Sequence, residues 1–373
     1  MNTEDLNAGF NDLDWNRQYS LCIQAAGMLQ PHYRLGLRGL YLIGDIMAGD
    51  QGEAGYMKFR YTTSEGEFIL GIHYWLAEPN VAQLESYLLW LDALAHDTDL
   101  RIQTSVANRQ GQIVTPLQVW DSRTACFRCF STLQRWLPGA PLWPHAGFGY
   151  RSPDAPLPQR SNAQLAAMGR TLATIHRHSS TWPRPDDFKR PPVAREQASA
   201  VVEQYRDRLD ATAHLQCMLQ TAQDVDAHIA DFSAGSPDKG LCHGDPNPAN
   251  FVIDSDVVSP IDFDACGEGL YLADIAVSLQ AMDPQRRRSV LEGYAEVSAL
   301  PPETEPVLEA LIMQWTLSQL QSPWWTSSPL SPFRDDWAGL GDFIAAQCQR
   351  FATGRPWLYE PSPLVWFKDR LGL

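Results

Sequence analysis

The chain has 373 residues, enough for two packed domains or one large one, and at 44% hydrophobic and 20% charged it has the composition of a folded protein, not a disordered one. Its 29 basic and 44 acidic residues leave a net charge of −15, which argues against a nucleic-acid binder working through clustered Lys and Arg. No run reaches the roughly 18 uninterrupted apolar residues of a membrane span, and the start Met1-Asn2-Thr3-Glu4-Asp5-Leu6 lacks the basic and apolar regions of a secretory signal. Seven cysteines, an odd number scattered along the chain, fit reduced thiols and a cytoplasmic protein. Cys126 and Cys129 form a CxxC with no second pair at ligand spacing, so zinc is not indicated.

In chain order, Asp14–Leu35 has apolar residues at helical spacing and predicts a leading helix. Leu40–Ala48, Tyr56–Thr62 and Phe68–Trp75 are short β-branched or aromatic runs separated by Gly-rich turns, which predict three antiparallel strands. Ala82–Leu94 predicts a helix, and Ile113–Trp120 and Cys126–Trp136 predict two further strands. Pro138–Ser161 is rich in Pro and Gly and reads as a boundary. Beyond it come a helix at Ala163–His178, a Pro-rich loop at Thr181–Pro192 and a long helix from about Arg195 to Phe232. Cys242–Cys266 returns to strand and turn, and the chain after Ala273 reads as helices broken by prolines. A strand-rich first third and a mostly helical remainder predict an α+β protein in two lobes, 1–137 and 138–373.

The chemistry concentrates in His243-Gly244-Asp245-Pro246-Asn247-Pro248-Ala249-Asn250 and, after it, Ile261-Asp262-Phe263-Asp264. Between them, Phe251–Ile253 and Val257–Ile261 are joined by the turn signal Asp254-Ser255-Asp256 and should pair as a hairpin. A hairpin centred near Ser255 places Asn250 almost opposite Pro260, with Asp262 one or two residues beyond, and Asp245 in the loop leading in. Three oxygen-bearing side chains then converge. Oxygen-only ligation with few protein donors suits Mg²⁺ when phosphates supply the remaining ligands.

These motifs resemble those of the aminoglycoside phosphotransferase and choline kinase family, relatives of the protein kinases, in which H-G-D-x-x-x-x-N precedes I-D-[FW]-[DE]. Tyr271-Leu272-Ala273-Asp274-Ile275-Ala276 resembles the family's D-[IL]-A helix start, Met168-Gly169-Arg170 through His176 its L-G-x-x-L-A-x-[LI]-H helix, and Gln134–Gly139 the end of its inter-lobe strand. The texture is closest to the branch of the bacterial stress-response Ser/Thr kinase and homoserine-kinase-like proteins. The resemblance covers roughly Leu40 to Phe351. It implies a protein-kinase-like fold, with a small antiparallel-sheet lobe and a larger helical one, and phosphoryl transfer from ATP or GTP to a hydroxyl of a small molecule or a Ser/Thr side chain. By the same resemblance Asp245 is the catalytic base, His243 orients the loop, Asn250 and Asp262 hold Mg²⁺, and Asp264 binds a second metal or accepts from backbone amides. Asp274 is a helix cap or a brace for the catalytic loop.

The first lobe departs from the family. The third strand should carry a lysine or arginine for the nucleotide phosphates, held by a glutamate on the next helix. Gly71 stands at the basic position in Phe68-Ile69-Leu70-Gly71-Ile72-His73, and Tyr87 at the acidic one. Glu85 is two residues away, about 200° around a helix, and does not substitute. The Gly49–Gly55 turn, where a phosphate lid would lie, carries two acids, Asp50 and Glu53. Three arrangements are compatible with this. Lys58 and Arg60, alternating onto one face of the second strand, replace the missing cation; His73, on the same strand face as Gly71, contributes in its charged form; or nothing replaces it, and the chain is a catalytically weak or silent kinase-like binding protein. Transfer of a different nucleotide moiety, with the nucleotide turned in the cleft, is a further alternative. Arg286-Arg287-Arg288 reads as a solvated helix face, and Trp315, Trp324, Trp325 and Trp337 as core or as aromatic walls of an acceptor site. Rossmann, Walker and Gly-x-Ser-x-Gly signatures are absent.

Overall fold

Alternating side chains build the first sheet. In the computed structural model, which describes residues 15–46, 55–74, 78–120, 126–142, 160–193, 195–209, 214–280, 282–321, 333 and 336–354, the chain opens with α1 (Trp15–Gly27) and a short α2 (Gln30–Tyr33). Strands β1 (Leu37–Ile46), β2 (Gly55–Thr63) and β3 (Gly66–Tyr74) follow, then α3 (Glu78–Asp97), β4 (Val114–Trp120) and β5 (Cys126–Arg135). The strands form one antiparallel sheet in the order β1-β2-β3-β5-β4. Met57, Phe59 and Tyr61 of β2 point to one face, where they pack with Leu21, Cys22, Ala25 and Ala26 of α1. Central β3 is buried from Phe68 to Tyr74, which explains its continuous apolar run. Cys126 and Cys129, three apart on a strand, point to opposite faces.

The chain divides into two compact units, Met1–Gly139 with Pro183–Arg190, and Ala140–Trp182 with Pro191–Leu373. In the first, the returning segment is tied to α3, with Lys189 N donating to Ser86 Oγ at 2.8 Å and the Arg190 guanidinium over the Tyr87 ring.

The second unit comprises β6 (Ala140–Pro141), α4 (Asn162–Thr181), α5 (Ala198–Gln204), α6 (Arg206–Leu209), α7 (Leu215–Gly235), β7 (Lys239–Cys242), β8 (Phe251–Asp254), β9 (Val257–Pro260), β10 (Gly267–Leu270), α8 (Tyr271–Leu279), α9 (Pro284–Ala295), α10 (Thr304–Ser318) and α11 (Trp337–Ala352). Helix α4 starts at a capping box on Ser161 and Gln164. It crosses α9 at two glycines: a Cβ on Gly169 would lie 2.0 Å from Val290 O, and one on Gly293 2.0 Å from Ala166 O. Leu165, Met168, Leu172, Leu272, Ile275, Leu308 and Ile312 fill the core between α4, α8 and α10. No helix among the described residues is long and apolar enough to cross a membrane.

The architecture is α+β, as the sequence predicts, but several local expectations change. The long helix predicted over 195–232 is α5, α6 and α7; the break at Tyr205 coincides with a stack of Tyr205 on Trp337, 5.5 Å between centroids, with Arg208 over both rings. The leading helix is likewise divided into α1 and α2. The arginine triplet is not a solvated face: Arg287 is buried, donates to Leu279 O and faces Glu309, while Arg286 pairs with Asp283. Residues 49–54, Trp324 and Trp325 lie outside the described residues, and Trp315 and Trp337 are half-buried.

Candidate active site

Strand β7 delivers the His243–Asn250 loop, and the β8–β9 hairpin returns the chain to it. Phe251 pairs with Pro260 and Asp254 with Val257, so the turn centres between Ser255 and Asp256 and not on Ser255. Ser255 takes a left-handed φ of 57° to make it. Asn250 is consequently opposite Ile261, one residue later than the sequence estimate: Ile261 N donates to Asn250 O at 2.9 Å. Asp262 follows directly, with φ 64° and ψ 60°, at the head of a single 3-10 turn, Phe263–Ala265. A non-glycine residue held there costs on the order of 1 kcal/mol, a strain that recurs at functional positions.

Asp245 sits at the centre of the loop. Its Oδ2 accepts from Asn247 Nδ2 at 3.0 Å and from Asn250 Nδ2 at 3.1 Å, and its carbonyl accepts from the same Asn250 amide at 2.8 Å. The Asn250 NH₂ is thereby committed to Asp245, which leaves Asn250 Oδ1 as an acceptor facing elsewhere. Burial pushes the Asp245 carboxyl above the ordinary carboxylate range, and Asp262 adds to the rise; Asn247, His243 and Arg195 work against it.

The loop is braced from beneath by Asp274, 2% exposed, in the first turn of α8. Its Oδ2 accepts from His243 N at 2.7 Å and His176 Nε2 at 3.1 Å, and its Oδ1 from Gly244 N at 3.0 Å. Burial opposes the Asp274 carboxylate, but the hydrogen bond and field of His176, then His243 and the Gly244 amide, outweigh it and hold its pKa below the ordinary range. Gly244 has φ +88°, and a Cβ there would stand 2.1 Å from Ala265 O, so this position admits only glycine. His243 is fully buried against Phe251 and Phe263; its Nε2 bonds Ile261 O at 2.9 Å and its Nδ1 takes the Asp245 amide at 3.4 Å. Both ring nitrogens are occupied, so the histidine ties the loop to the hairpin.

His176, Cys242 and Asp274 have the residue types of a metal centre and donor atoms within 4.8 Å of one another. Their donors are already used. Asp274 is spent on three N–H groups, His176 Nδ1 bonds Tyr294 Oη at 2.9 Å, and burial, reinforced by Asp274, holds the Cys242 thiol well above its ordinary pKa. The set that fits a hard cation is instead Asn250 Oδ1 with Asp262, oxygen donors at the mouth of the hairpin, and Asp264 two residues on.

In the first unit, Tyr56, Lys58 and Arg60 share the face of β2 opposite its core face. Lys58 pairs across the sheet with Gly71 and Gly71 with Thr132; the Lys58 ammonium lies over the Tyr56 ring at 5.0 Å. His73 is buried, and its Nε2 is 3.1 Å from Thr132 Oγ1. Arg60 is engaged by Glu67, at 2.9 Å from Nε, and by the Trp136 ring at 4.8 Å. On α3 Tyr87 is buried and Glu85 exposed. Arg195, which no motif singles out, is in the second unit, and its charge opposes the rise of the Asp245 pKa.

A family model described as the phosphotransferase enzyme family matches residues 55–311. The fold is similar to that of a microcompartment-associated aminopropanol kinase, 21% identical, with 89% of this chain and 98% of that one covered at a TM-score of 0.58. It is also similar to an amicoumacin kinase in complex with AMP-PNP, Ca²⁺ and Ami, at 14% identity, 92% and 96% coverage and a TM-score of 0.62. A spectinomycin phosphotransferase in complex with ADP and spectinomycin, 12% identical, covers 88% of this chain and 98% of its own at a TM-score of 0.53. No curated protein sequence matches the chain.

Proposed function

This chain belongs to the phosphotransferase enzyme family, and from that premise we propose that it transfers the terminal phosphoryl group of ATP or GTP to a hydroxyl of a small molecule. The observation that carries the reading is the Asp245 carboxylate, fixed by Asn247 and Asn250 in a loop that His243 and Asp274 hold rigid. Phosphoryl transfer asks of the protein mostly position and charge balance. Asp245, with its pKa raised by burial, orients the acceptor hydroxyl and takes its proton. Asn250 Oδ1 and Asp262, with Asp264, would hold Mg²⁺, which neutralises phosphate charge when bound. His243 keeps the base in register through its two ring nitrogens, and Asp274 prevents the loop from shifting. Lys58, with His73 beside it, supplies the nucleotide phosphates with positive charge; Arg60, already matched by Glu67, adds less.

A second reading rests on a specific observation. The space of the family's anchoring side chain at Gly71 is taken by the His73 ring, which favours a chain that binds nucleotide weakly and acts as a binding protein. Calorimetry with ATP and GTP, with and without Mg²⁺, separates the two. Metal-dependent heat with either nucleotide, accompanied by slow release of nucleoside diphosphate, supports transfer. Absence of binding with both sinks it. The seven cysteines are all unbridged, as a reducing cytoplasm would leave them.

A further inference from the structure

No motif singles out Tyr294; the crossing of α4 and α9 places it. The two helices meet backbone to backbone. A Cβ on Gly169 would stand 2.0 Å from Val290 O and 2.8 Å from Tyr294 N, and one on Gly293 2.0 Å from Ala166 O. That approach brings the Tyr294 side chain, 2% exposed, against His176 of α4, 1% exposed, and its phenol oxygen lies 2.9 Å from His176 Nδ1. The other ring nitrogen, Nε2, lies 3.1 Å from Asp274 Oδ2. Asp274 in turn holds the backbone from which the Asp245 loop departs, through His243 N at 2.7 Å and Gly244 N at 3.0 Å.

The other polar groups nearest the imidazole are engaged elsewhere. The Tyr271 ring stacks on it at 4.4 Å, but the Tyr271 hydroxyl is bonded to Ser179 Oγ at 3.1 Å. Cys242 Sγ donates to Gly240 O at 3.6 Å, and the Asp238 carboxylate accepts the Leu272 amide. Among the described residues the Tyr294 hydroxyl has one acceptor, His176 Nδ1, and the ring has two hydrogen-bond partners, Tyr294 and Asp274. Burial, with Asp238 next, holds the phenol well above its ordinary pKa, so its proton stays on Oη. A buried hydroxyl with a single acceptor in reach donates to it. Nδ1 is then the unprotonated nitrogen, and the ring hydrogen sits on Nε2, facing Asp274. The reverse tautomer would set the Nε2 lone pair against a carboxylate oxygen and strand the phenol proton. Protonating both nitrogens would strand it as well, and an unmatched buried donor is costly.

We infer that Tyr294 is a positioning residue for phosphoryl transfer: its hydroxyl fixes His176 as the Nε2–H tautomer, so that His176 donates to Asp274 and Asp274 holds the start of the Asp245 loop. The effect on turnover rests on the phosphotransfer reading; the effect on the imidazole and on the loop does not. Tyr294 touches no reacting group. It acts through Nδ1 and Nε2 of one ring, two oxygens of one carboxylate and two successive amides, the second of which immediately precedes Asp245. No proton travels along this path; each is held where it is. Because a small displacement of a base from its working position is felt as lost rate, a phenol remote from the chemistry bears on kcat.

Tyr294→Phe removes one oxygen and keeps the ring. In the full chain labelled with ¹⁵N-histidine, with His176→Gln identifying the signal, NMR at neutral pH should show Nε2 protonated and Nδ1 bare in the parent. In Tyr294→Phe that single state should give way to a mixture of tautomers or to the imidazolium. The His243 and Gly244 amides should then exchange about 10-fold faster, the scale of one lost buried hydrogen bond, while amides of α10 keep their protection. With Mg-ATP or Mg-GTP and water as the acceptor, release of nucleoside diphosphate should fall about 10-fold in kcat, with the nucleotide KM within about 2-fold. In a His176→Leu background the phenol has nothing to act through, so Tyr294→Phe should change neither kcat nor exchange at 243–244. His176→Gln, whose amide still donates to Asp274, should retain more turnover than His176→Leu, which a role in packing alone would not produce. A parent with Nδ1 protonated, a tautomer and loop exchange that survive Tyr294→Phe, an unchanged kcat, or equal losses in both backgrounds overturns the proposal. A parent that neither binds nor hydrolyses nucleotide fails the phosphotransfer reading by itself, and labelling and exchange then decide whether Tyr294 sets the imidazole and the loop.

Discussion

The Nε2 atom of His73 lies 2.7 Å from the point where a Cβ on Gly71 would stand, and Thr132 Oγ1 lies 2.6 Å from the same point. The two residues are next-but-one neighbours on β3, so their side chains share a face, and the imidazole folds back over the glycine to reach Thr132. The departure from the family at this position is thus a filled space and not a hole. Gly71→Ala should destabilise the chain by about 1–3 kcal/mol in urea unfolding, the usual cost of overpacking. In a background that removes both neighbours, His73→Ala with Thr132→Ala, the same change should cost much less; equal costs in both backgrounds would show that these side chains are not the obstacle.

If Lys58, opposite Gly71 across the sheet, has taken over the phosphate contact, Lys58→Ala should weaken Mg-nucleotide binding by roughly 1.5–3 kcal/mol, the range for a hydrogen bond to a charged group. Gly71→Lys should then bring no gain. The opposite pattern in calorimetry, a silent Lys58→Ala and a Gly71→Lys that binds nucleotide more tightly, removes Lys58 from the site.

Asp262→Ala should abolish the thermal shift produced by Mg-nucleotide and leave the fold intact, because the residue is half-buried at the hairpin mouth and not in the core. Alanine keeps the Cβ that strains the left-handed backbone at this position, so the variant gains nothing there, and the melting temperature without ligand should fall by no more than a few degrees. An unchanged shift with Mg-nucleotide would mean that the metal is held elsewhere.

Asp245→Asn keeps both hydrogen bonds, since the amide oxygen still accepts from Asn247 and Asn250, but it cannot take a proton. Turnover should drop at least ~100-fold, with nucleotide affinity little changed. Stability should move the other way. Burial and Asp262 disfavour the ionised carboxyl in the folded state, so removing the charge raises the melting temperature at neutral pH. A variant that is both inactive and less stable would argue for a structural aspartate.

Asp274 carries the opposite sign. Its folded pKa lies below the ordinary value of about 3.9, so its contribution is fully present above that pH and is lost as pH falls through the lower folded value. Asp274→Asn should cost roughly 3–5 kcal/mol at pH 7, the scale for breaking a buried charged pair, because the His243 and Gly244 amides lose their carboxylate. Denaturant midpoints of parent and variant should converge as the pH drops below about 4. A gap that persists in strong acid would assign the loss to packing.

The amino-acid sequence determined the chemistry-bearing set and its order. His243, Asp245, Asn250 and Asp262 stand at spacings that a loop and a short hairpin bring together whatever surrounds them, because a hairpin's geometry is local. The alternation along β2 likewise assigned Lys58 and Arg60 to one face. Tertiary structure decided what depends on partners distant in the chain. The hairpin register moved by one residue because Ser255 adopted a left-handed conformation that its composition did not announce. Arg287 went inside because a carbonyl of Leu279 and the acid Glu309 met it there, while Arg60, with the same side chain on an open face, went to Glu67 and Trp136. Arg195 carries no motif at all. The packing of its segment against β10, with Val193 bonded to Glu268 and the Asp226 cap on α5 behind it, places it through neighbours distant in the chain, which no local pattern of residues encodes.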